Sequence, residues 1–457
     1  MRLSRLAAGL LMAFSAVHAE EPEPRPNFLI ILADDCTSRD LEIHGGQAKT
    51  PHLTRLAAQG MKFTRCFQAA PMCSPTRHNL YSGLYPVKSG AYPNHAVANK
   101  GVRSMVHYLG DGGYRVGLSG KTHIGPKSVY PFEHVPGFDP NCNRSPTLPH
   151  STEGITRFIK PRDGEPFCLV VALVEPHGPW VMGDAAAYPP ETLKLPPVFA
   201  DTPETRKQYS RYLAEITFMD SQVGEILAAL DASGAADDTL VLFLSEQGSG
   251  FPFAKWTCYD AGLQSAAVAR WPGVVKAGSE TDAMIEYGDV LPTLLAAAAL
   301  EIPEALDGKS FLPVLRGETG EHKSHVFGIQ TTRGIVGGSD HYGIRSVRSG
   351  THLYIRNLTP EATFRCSANK GEVWNSWVRA AKHGDAHAAS LVRAYQHRPA
   401  EELYDVRKDP WNRKNLIDDP DLTEIRAALR AELDRWMKAQ GDEGQATELR
   451  AREHMGK

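Results

Sequence analysis

Asn27-Phe28-Leu29-Ile30-Ile31-Leu32-Ala33-Asp34-Asp35 places apolar side chains at successive rather than alternate positions and closes on two carboxylates. A short run of that kind reads as a strand buried on both faces, the condition of a parallel sheet covered by helices on either side. Comparable runs recur at 167–174 and 239–244, and helical spacing appears at 51–59, 75–80, 104–109 and, over a long stretch, 204–230. Strands alternating with helices predict an α/β fold on a large, mostly parallel sheet. Beyond residue 315 the pattern shortens. Segments 341–347 and 351–356, separated by Arg348-Ser349-Gly350, predict an antiparallel hairpin, and 422–439 a terminal helix. The expected layout is a principal domain over 27–314 and a smaller C-terminal α+β subdomain with an antiparallel sheet over 315–457.

The 457 residues, 42% of them hydrophobic, suffice for one large core and a second, smaller unit. A formal net charge of −3 with both signs interspersed gives no broad basic surface for nucleic acid or anionic membrane, so anion recognition has to be local. Arg2 and Arg5 precede an apolar run over 6–17 and small residues near Ala19, which predicts a signal peptide at 1–19. A membrane anchor would need roughly 20 apolar residues. An acidic, proline-containing linker at 20–26 follows, and the expected location is outside the cytoplasm, periplasmic or secreted, without stable membrane association. Seven cysteines are too sparse for a disulfide scaffold and lack zinc-site spacing, and an odd number leaves at least one unpaired. The others read as small buried hydrophobes or members of one or two bridges.

In sheets of this class ligands bind beyond the carboxyl ends of the strands. The residues there are unusually polar: Asp34-Asp35 after the first run, Glu175-Pro176-His177 after the second, Ser245-Glu246-Gln247-Gly248 after the third. One fold can gather all three groups into a single crevice. A further motif, Cys73-Ser74-Pro75-Thr76-Arg77, opens a helix. It resembles the C-x-P-x-R signature of the formylglycine-dependent sulfatases, and the order of the surrounding elements matches that family over about 27–273. Gly120-Lys121-Thr122-His123-Ile124-Gly125-Pro126, Val129-Tyr130-Pro131-Phe132 and Phe251-Pro252 make the chain most similar to the N-sulfoglucosamine sulfohydrolase branch, the heparan sulfamidases.

The resemblance implies the alkaline phosphatase-like sulfatase fold and a specific chemistry. A formylglycine-generating enzyme would oxidise Cys73 to an aldehyde whose hydrate attacks sulfur with one hydroxyl and expels sulfate with the other. Asp34, Asp35, Glu246 and Gln247, with the modified Cys73, would hold one divalent cation, Ca²⁺ being suited to oxygen ligands. Relatives generally carry Asp and Asn where this chain has Glu246 and Gln247, one methylene longer each, a departure that bears on the cation's identity and affinity. Arg77, one turn past Cys73, would support the diol and its neighbouring carboxylate ligands while holding the anion. Lys121, His123, His177 and Lys255 would complete a cationic pocket, with His123 assisting the nucleophile and His177 and Lys121 near the leaving group. Trp180, Trp256, Tyr259, Arg345 and Arg348 are candidate sugar contacts.

The implied activity is sulfate removal from a sulfated glycan, with the N-sulfo group of glucosamine in heparan-type glycans as the main expectation and an O-sulfate as the alternative. Two other readings stand beside it. A phosphoryl hydrolase of the same superfamily would want Ser or Thr as nucleophile and usually two metals. An inactive glycan-binding relative would keep the fold without the chemistry.

Overall fold

The computed structural model describes residues 25–162 and 164–456. The signal peptide expected at 1–19 and most of the linker lie outside the described residues. Nine strands form the principal sheet: β1 (Asn27–Ala33), β2 (Met61–Phe67), β3 (Arg115–Gly120), β4 (Glu133–His134), β5 (Phe167–Ala172), β6 (Thr239–Ser245), β7 (Gln264–Arg270), β8 (Ser279–Thr281) and β9 (Ile285–Glu286). Their order is β4-β3-β5-β1-β6-β7-β2-β8, with β9 also on β2. The centre, β3-β5-β1-β6, is parallel throughout, and β1 pairs Leu29 with Leu169 on one side and Val241 on the other. The strand β7 runs antiparallel to both β6 and β2.

The continuous apolar run of β1 has a direct structural cause. Leu29, Ile31 and Ala33 point into one core and Phe28, Ile30 and Leu32 into the other, all of them fully buried. Burying one such side chain contributes roughly 1.5–3 kcal/mol, so neither face tolerates a polar substitution. The long helix Pro203–Ser233 covers one face. Thr202 caps it by accepting from the Thr205 N–H, Pro203 stands in its first turn, and Gly234 ends it at φ 78°.

Strands β10 (His325–Thr331), β11 (Gly343–Ser349), β12 (His352–Asn357) and β13 (Glu401–Asp405) form the second, antiparallel sheet. One hydrophobic core runs from β1 through the long helix to Trp377, Leu403 and Leu433, so the two sheets are packed units of one body. The hairpin expected around 348–350 is present as β11-β12. Among the described residues no helix is long and apolar enough to cross a membrane. All seven cysteines are free thiols, and six of them are buried.

Candidate active site

The parallel strands all deliver their carboxyl ends to one edge of the sheet. Asp34 and Asp35 follow β1, Lys121 and His123 follow β3, His177 follows β5 by a short loop, and Glu246 and Gln247 follow β6. Backbone bonds tie these exits together: Asp34 N–H donates to Glu175 O at 3.1 Å, Glu246 N–H to Ala33 O at 2.8 Å, and Lys121 N–H to Ala172 O at 2.8 Å. Gly120 is required at its turn, since φ is 86° and a Cβ there would stand 2.1 Å from the Ala172 carbonyl oxygen. Asp35, His123 and Gln247 have φ of 56°, 49° and 37°, a left-handed backbone that non-glycine residues adopt rarely and mainly where surrounding structure enforces it.

Cys73 opens the helix Cys73–Ser82 and lies at the middle of this cluster. Its Sγ is 3.5 Å from Asp34 Oδ1 and 3.7 Å from Asp35 Oδ1, and it accepts from Gln247 Nε2 at 2.9 Å and Lys255 Nζ at 3.3 Å. Burial, followed by the Asp34 charge, pushes the thiol well above its ordinary range. A thiol held that way is a poor nucleophile, so the unmodified side chain is not what this setting activates.

Each carboxylate has a cation against it. Lys121 Nζ bonds Asp34 Oδ2, and Lys255 Nζ is 2.6 Å from Asp35 Oδ1. Arg77 brackets Glu246, with Nε 3.2 Å from Oε1 and Nη2 on Oε2, and its Nη1 donates to Lys121 O at 2.9 Å. Of the roles expected of Arg77, support of the neighbouring carboxylate ligands is the one its contacts provide. Arg77 is wholly buried, and its fork is occupied by Glu246 and a carbonyl, so it acts on the site by fixing those groups. Burial would raise Asp34, but Lys121, His177, Arg77 and Lys255 together hold its carboxyl well below the usual range. Burial also pushes Glu246 up, to about 8, against the pull of Arg77.

The donor set fits a divalent cation. Asp34, Cys73 and Glu246 each bring a ligand atom within 4.8 Å of the others. Gln247 donates its amide N–H to Asp35 Oδ1 at 2.7 Å and to Cys73, which leaves its Oε1 buried with no partner among the described residues. An orphaned carbonyl oxygen beside two aspartates is costly unless something positive meets it.

His177 Nδ1 donates to the Gly178 carbonyl at 2.8 Å, which turns Nε2 toward Asp35 Oδ2 at 3.6 Å, within 4.8 Å of Cys73 Sγ. Burial lowers its pKa against the pull of Asp35. His123 pairs with a residue that carried no motif, His95, at 2.7 Å from Nε2 to Nδ1. Burial, then Lys121 and His95, holds His123 far below the ordinary imidazole range.

Two clefts meet at the cluster. One, about 460 Å³, is lined by Cys73, His95, His123 and Asn141, and the other, about 450 Å³, by Trp180, Phe251 and Lys370. His177, Lys255, Trp256 and Ser367 belong to both walls. Of the sugar-contact candidates, Trp180 and Trp256 face the clefts. Tyr259 does not, being packed on Phe253 and bonded to Glu402. Arg345, fully buried with Asp442, and Arg348, paired with Asp260 at 3.1 Å and lying over Phe67, are internal ion pairs, so the sugar-contact role expected of them is not available.

Comparison with known proteins agrees with this geometry. Residues 26–300 match the sulfatase family model, and 248–360 match that of the N-sulphoglucosamine sulphohydrolase C-terminal region. An ulvan-active sulfatase of Formosa agariphila is 31% identical over 92% of this chain and 81% of its own length. Human N-sulphoglucosamine sulphohydrolase is 28% identical over 90% of this chain and 89% of its own. A solved structure described as holding its substrate D-glucosamine-2-N,6-O-disulfate shares the fold at a TM-score of 0.69, with 18% identity, over 92% of this chain and 99% of that one.

Proposed function

The chain belongs to the sulfatase family, and from that premise we propose that it hydrolyses an O-sulfate ester on a sulfated polysaccharide. The observation that carries this reading is the double cleft: the cavity holding Cys73 opens across His177, Lys255 and Trp256 into a second of nearly equal size. Such a groove accommodates a sugar on either side of the one being desulfated, as a polymer requires. The similarity to an ulvan-active sulfatase supports it. A second reading, the N-sulfo group of glucosamine in heparan-type glycans, draws support from the match of 248–360 to the sulphohydrolase C-terminal model.

In this proposal the protein is exported, and a formylglycine-generating enzyme converts Cys73 before it acts. Once converted, residue 73 would supply the hydroxyl nucleophile and a second hydroxyl for the release of sulfate. Asp34, Asp35, Glu246, Gln247 and residue 73 would hold a Ca²⁺ ion, which would supply Lewis-acid stabilisation of sulfate oxygens. The chain's own residues do the rest. Lys255, whose charge Asp35 secures against burial, stabilises negative charge at residue 73. Lys121, kept protonated by Asp34, faces the sulfate from the β3 side. His123 takes a proton from the nucleophile at Nδ1, its unpartnered ring nitrogen. His177 exchanges a proton with the leaving group through Nε2. With Glu246 ionised by the cation, three carboxylates would balance Arg77, Lys121 and Lys255, and the dication would leave two positive charges for the sulfate monoester and the ionised nucleophile.

The test is sulfate release by matured protein from ulvan, from other O-sulfated polysaccharides and from N-sulfated glucosamine. Release from an O-sulfated polymer is the expected result. Release from the N-sulfo sugar alone would move the assignment to the second reading, and no release from any substrate with residue 73 converted would favour the inactive glycan binder.

A further inference from the structure

His95 and His123 form a pair that the proposed chemistry leaves without a purpose. Their rings are 4.6 Å apart centre to centre, and a single 2.7 Å contact joins His123 Nε2 to His95 Nδ1. Two imidazoles that close must share one proton between those nitrogens. The other His123 nitrogen, Nδ1, is buried and unpartnered, whereas His95 is an exposed residue on the wall of the cleft. The pair therefore spans from the interior of the site to water.

The loop bearing His95 is held in an unfavourable shape by distant parts of the chain. His95 has φ 60° and His123 φ 49°. The Gly456 N–H donates to His95 O at 2.9 Å, Val97 N–H donates to His454 O at 2.9 Å, and Ala96 bridges Met455. On the other flank Gly334 lies so close that a Cβ would stand 2.2 Å from Asn94 O. Left-handed backbone enforced from both sides at two facing histidines is the kind of strain that persists where geometry matters to function.

We propose that His95 is the positioning residue of His123 and the relay by which a proton taken up at His123 Nδ1 leaves toward solvent. This rests on the reading of His123 as the group that takes the nucleophile's proton. The resting pair carries hydrogen on His123 Nε2 and on His95 Nε2. A proton arriving at His123 Nδ1 makes that ring cationic, the Nε2 proton crosses to His95 Nδ1, and His95 releases its own Nε2 proton to water. No bond between heavy atoms changes, and one proton enters for each that leaves. Lys121, Arg77 and Asp34 act on His123, and Lys121 and Lys255 on His95; burial first, and then these cations, disfavour a lasting charge on either ring.

The experiment compares His95→Ala, His95→Gln and His123→Ala in matured, cation-loaded protein, by kcat, KM, pH profile and recovery with added imidazole. His95→Ala is expected to lower kcat about tenfold to a hundredfold with KM within about twofold, to shift the pH profile, and to regain activity with imidazole. His95→Gln keeps an acceptor for His123 Nε2 but cannot pass a proton, so it stays impaired and imidazole does not restore it. Wild-type kcat and pH profile in His95→Ala, alongside an inactive His123→Ala, would overturn the relay alone. Loss in His95→Ala that imidazole does not recover and that tracks a lowered Tm would reduce His95 to a structural residue. Full activity in His123→Ala would overturn the reading of His123 itself.

Discussion

Two of the clusters of opposed charges that the molecule buries differ in what their backbones do. Around Cys73, the clustered Asp35 and Gln247, with His123 on the cleft wall, stand in left-handed conformations, and the Gln247 oxygen is unpartnered. In the second cluster Lys323 meets Glu286 at 2.5 Å and Asp289 at 2.7 Å, His322 meets Asp289 at 3.0 Å, and Tyr85 donates to Glu286 at 2.5 Å. There the carboxylates also cap backbone: Asp289 accepts from the N–H groups of Glu286 and Lys309. No residue of that group has a positive φ. Burial and charge are alike in both. The second also has an unpartnered oxygen, Glu286 Oε2, and a cleft beside His322 and Lys323, so left-handed backbone is what marks the first as a site for chemistry, while carboxylates bonded to backbone mark the second as a fastener between β9 and the segment leading to β10.

The sharpest way to break that distinction is to replace Cys73 by Ala. We expect turnover to fall on the order of 10⁴-fold or more with the thermal midpoint nearly unchanged, measured by sulfate release and calorimetry on one preparation. Lys323→Met should behave in the opposite sense. It leaves two buried carboxylates without their cation, which costs about 3–5 kcal/mol in denaturant unfolding, while kcat of the folded fraction stays at the wild-type value. A drop in kcat as large as that of Lys121→Met would refute the division.

A lone buried acid gives a third case. Glu215, on the long helix, accepts from the Val181 and Met182 N–H groups at 2.8 and 3.0 Å with no cation beside it. Burial raises its carboxyl from 4.5 to about 8. The folded state therefore binds a proton that the unfolded state has lost. Its stabilisation is complete below the unfolded value of 4.5 and declines as pH rises toward about 8, at up to about 1.4 kcal/mol per pH unit. Glu215→Gln should flatten that part of the stability profile, and an unchanged slope would reject the assignment. The smallest effect concerns the cation. Chelation should lower stability by about 2.7 kcal/mol relative to protein with the ion at a hundredfold its Kd, and Gln247→Ala should reduce that gap. Calorimetry with and without added Ca²⁺ reads it directly, and identical midpoints would argue against a cation site here.

Much of this arrangement was legible in residue order. The doubly buried β1, the polar residues after β1, β5 and β6, and the helix opening at Cys73 follow from local rules, because period, strand ends and a loop-to-helix transition are written in adjacent residues. Strands β2, β3 and β7 were not recognised. Met61-Lys62-Phe63-Thr64-Arg65-Cys66-Phe67 mixes charge with apolar residues, and its antiparallel partner β7 lies about two hundred residues away. Arg345 and Arg348 looked like anion contacts because arginine suits them, and only the fold shows each already facing a carboxylate.

Sequence by itself determined the class of fold, the place of Cys73 at the opening of a helix and most of the oxygen and nitrogen groups available to the site, since each depends on short-range pattern. Tertiary structure decided which cation met which carboxylate, Arg77 against Glu246 among them, that the Gln247 oxygen is left bare, and that His95 reaches His123. Those outcomes depend on distances of a few ångströms between residues far apart in the chain, set by how strands, helices and the 454–456 segment pack together, and no local pattern encodes them.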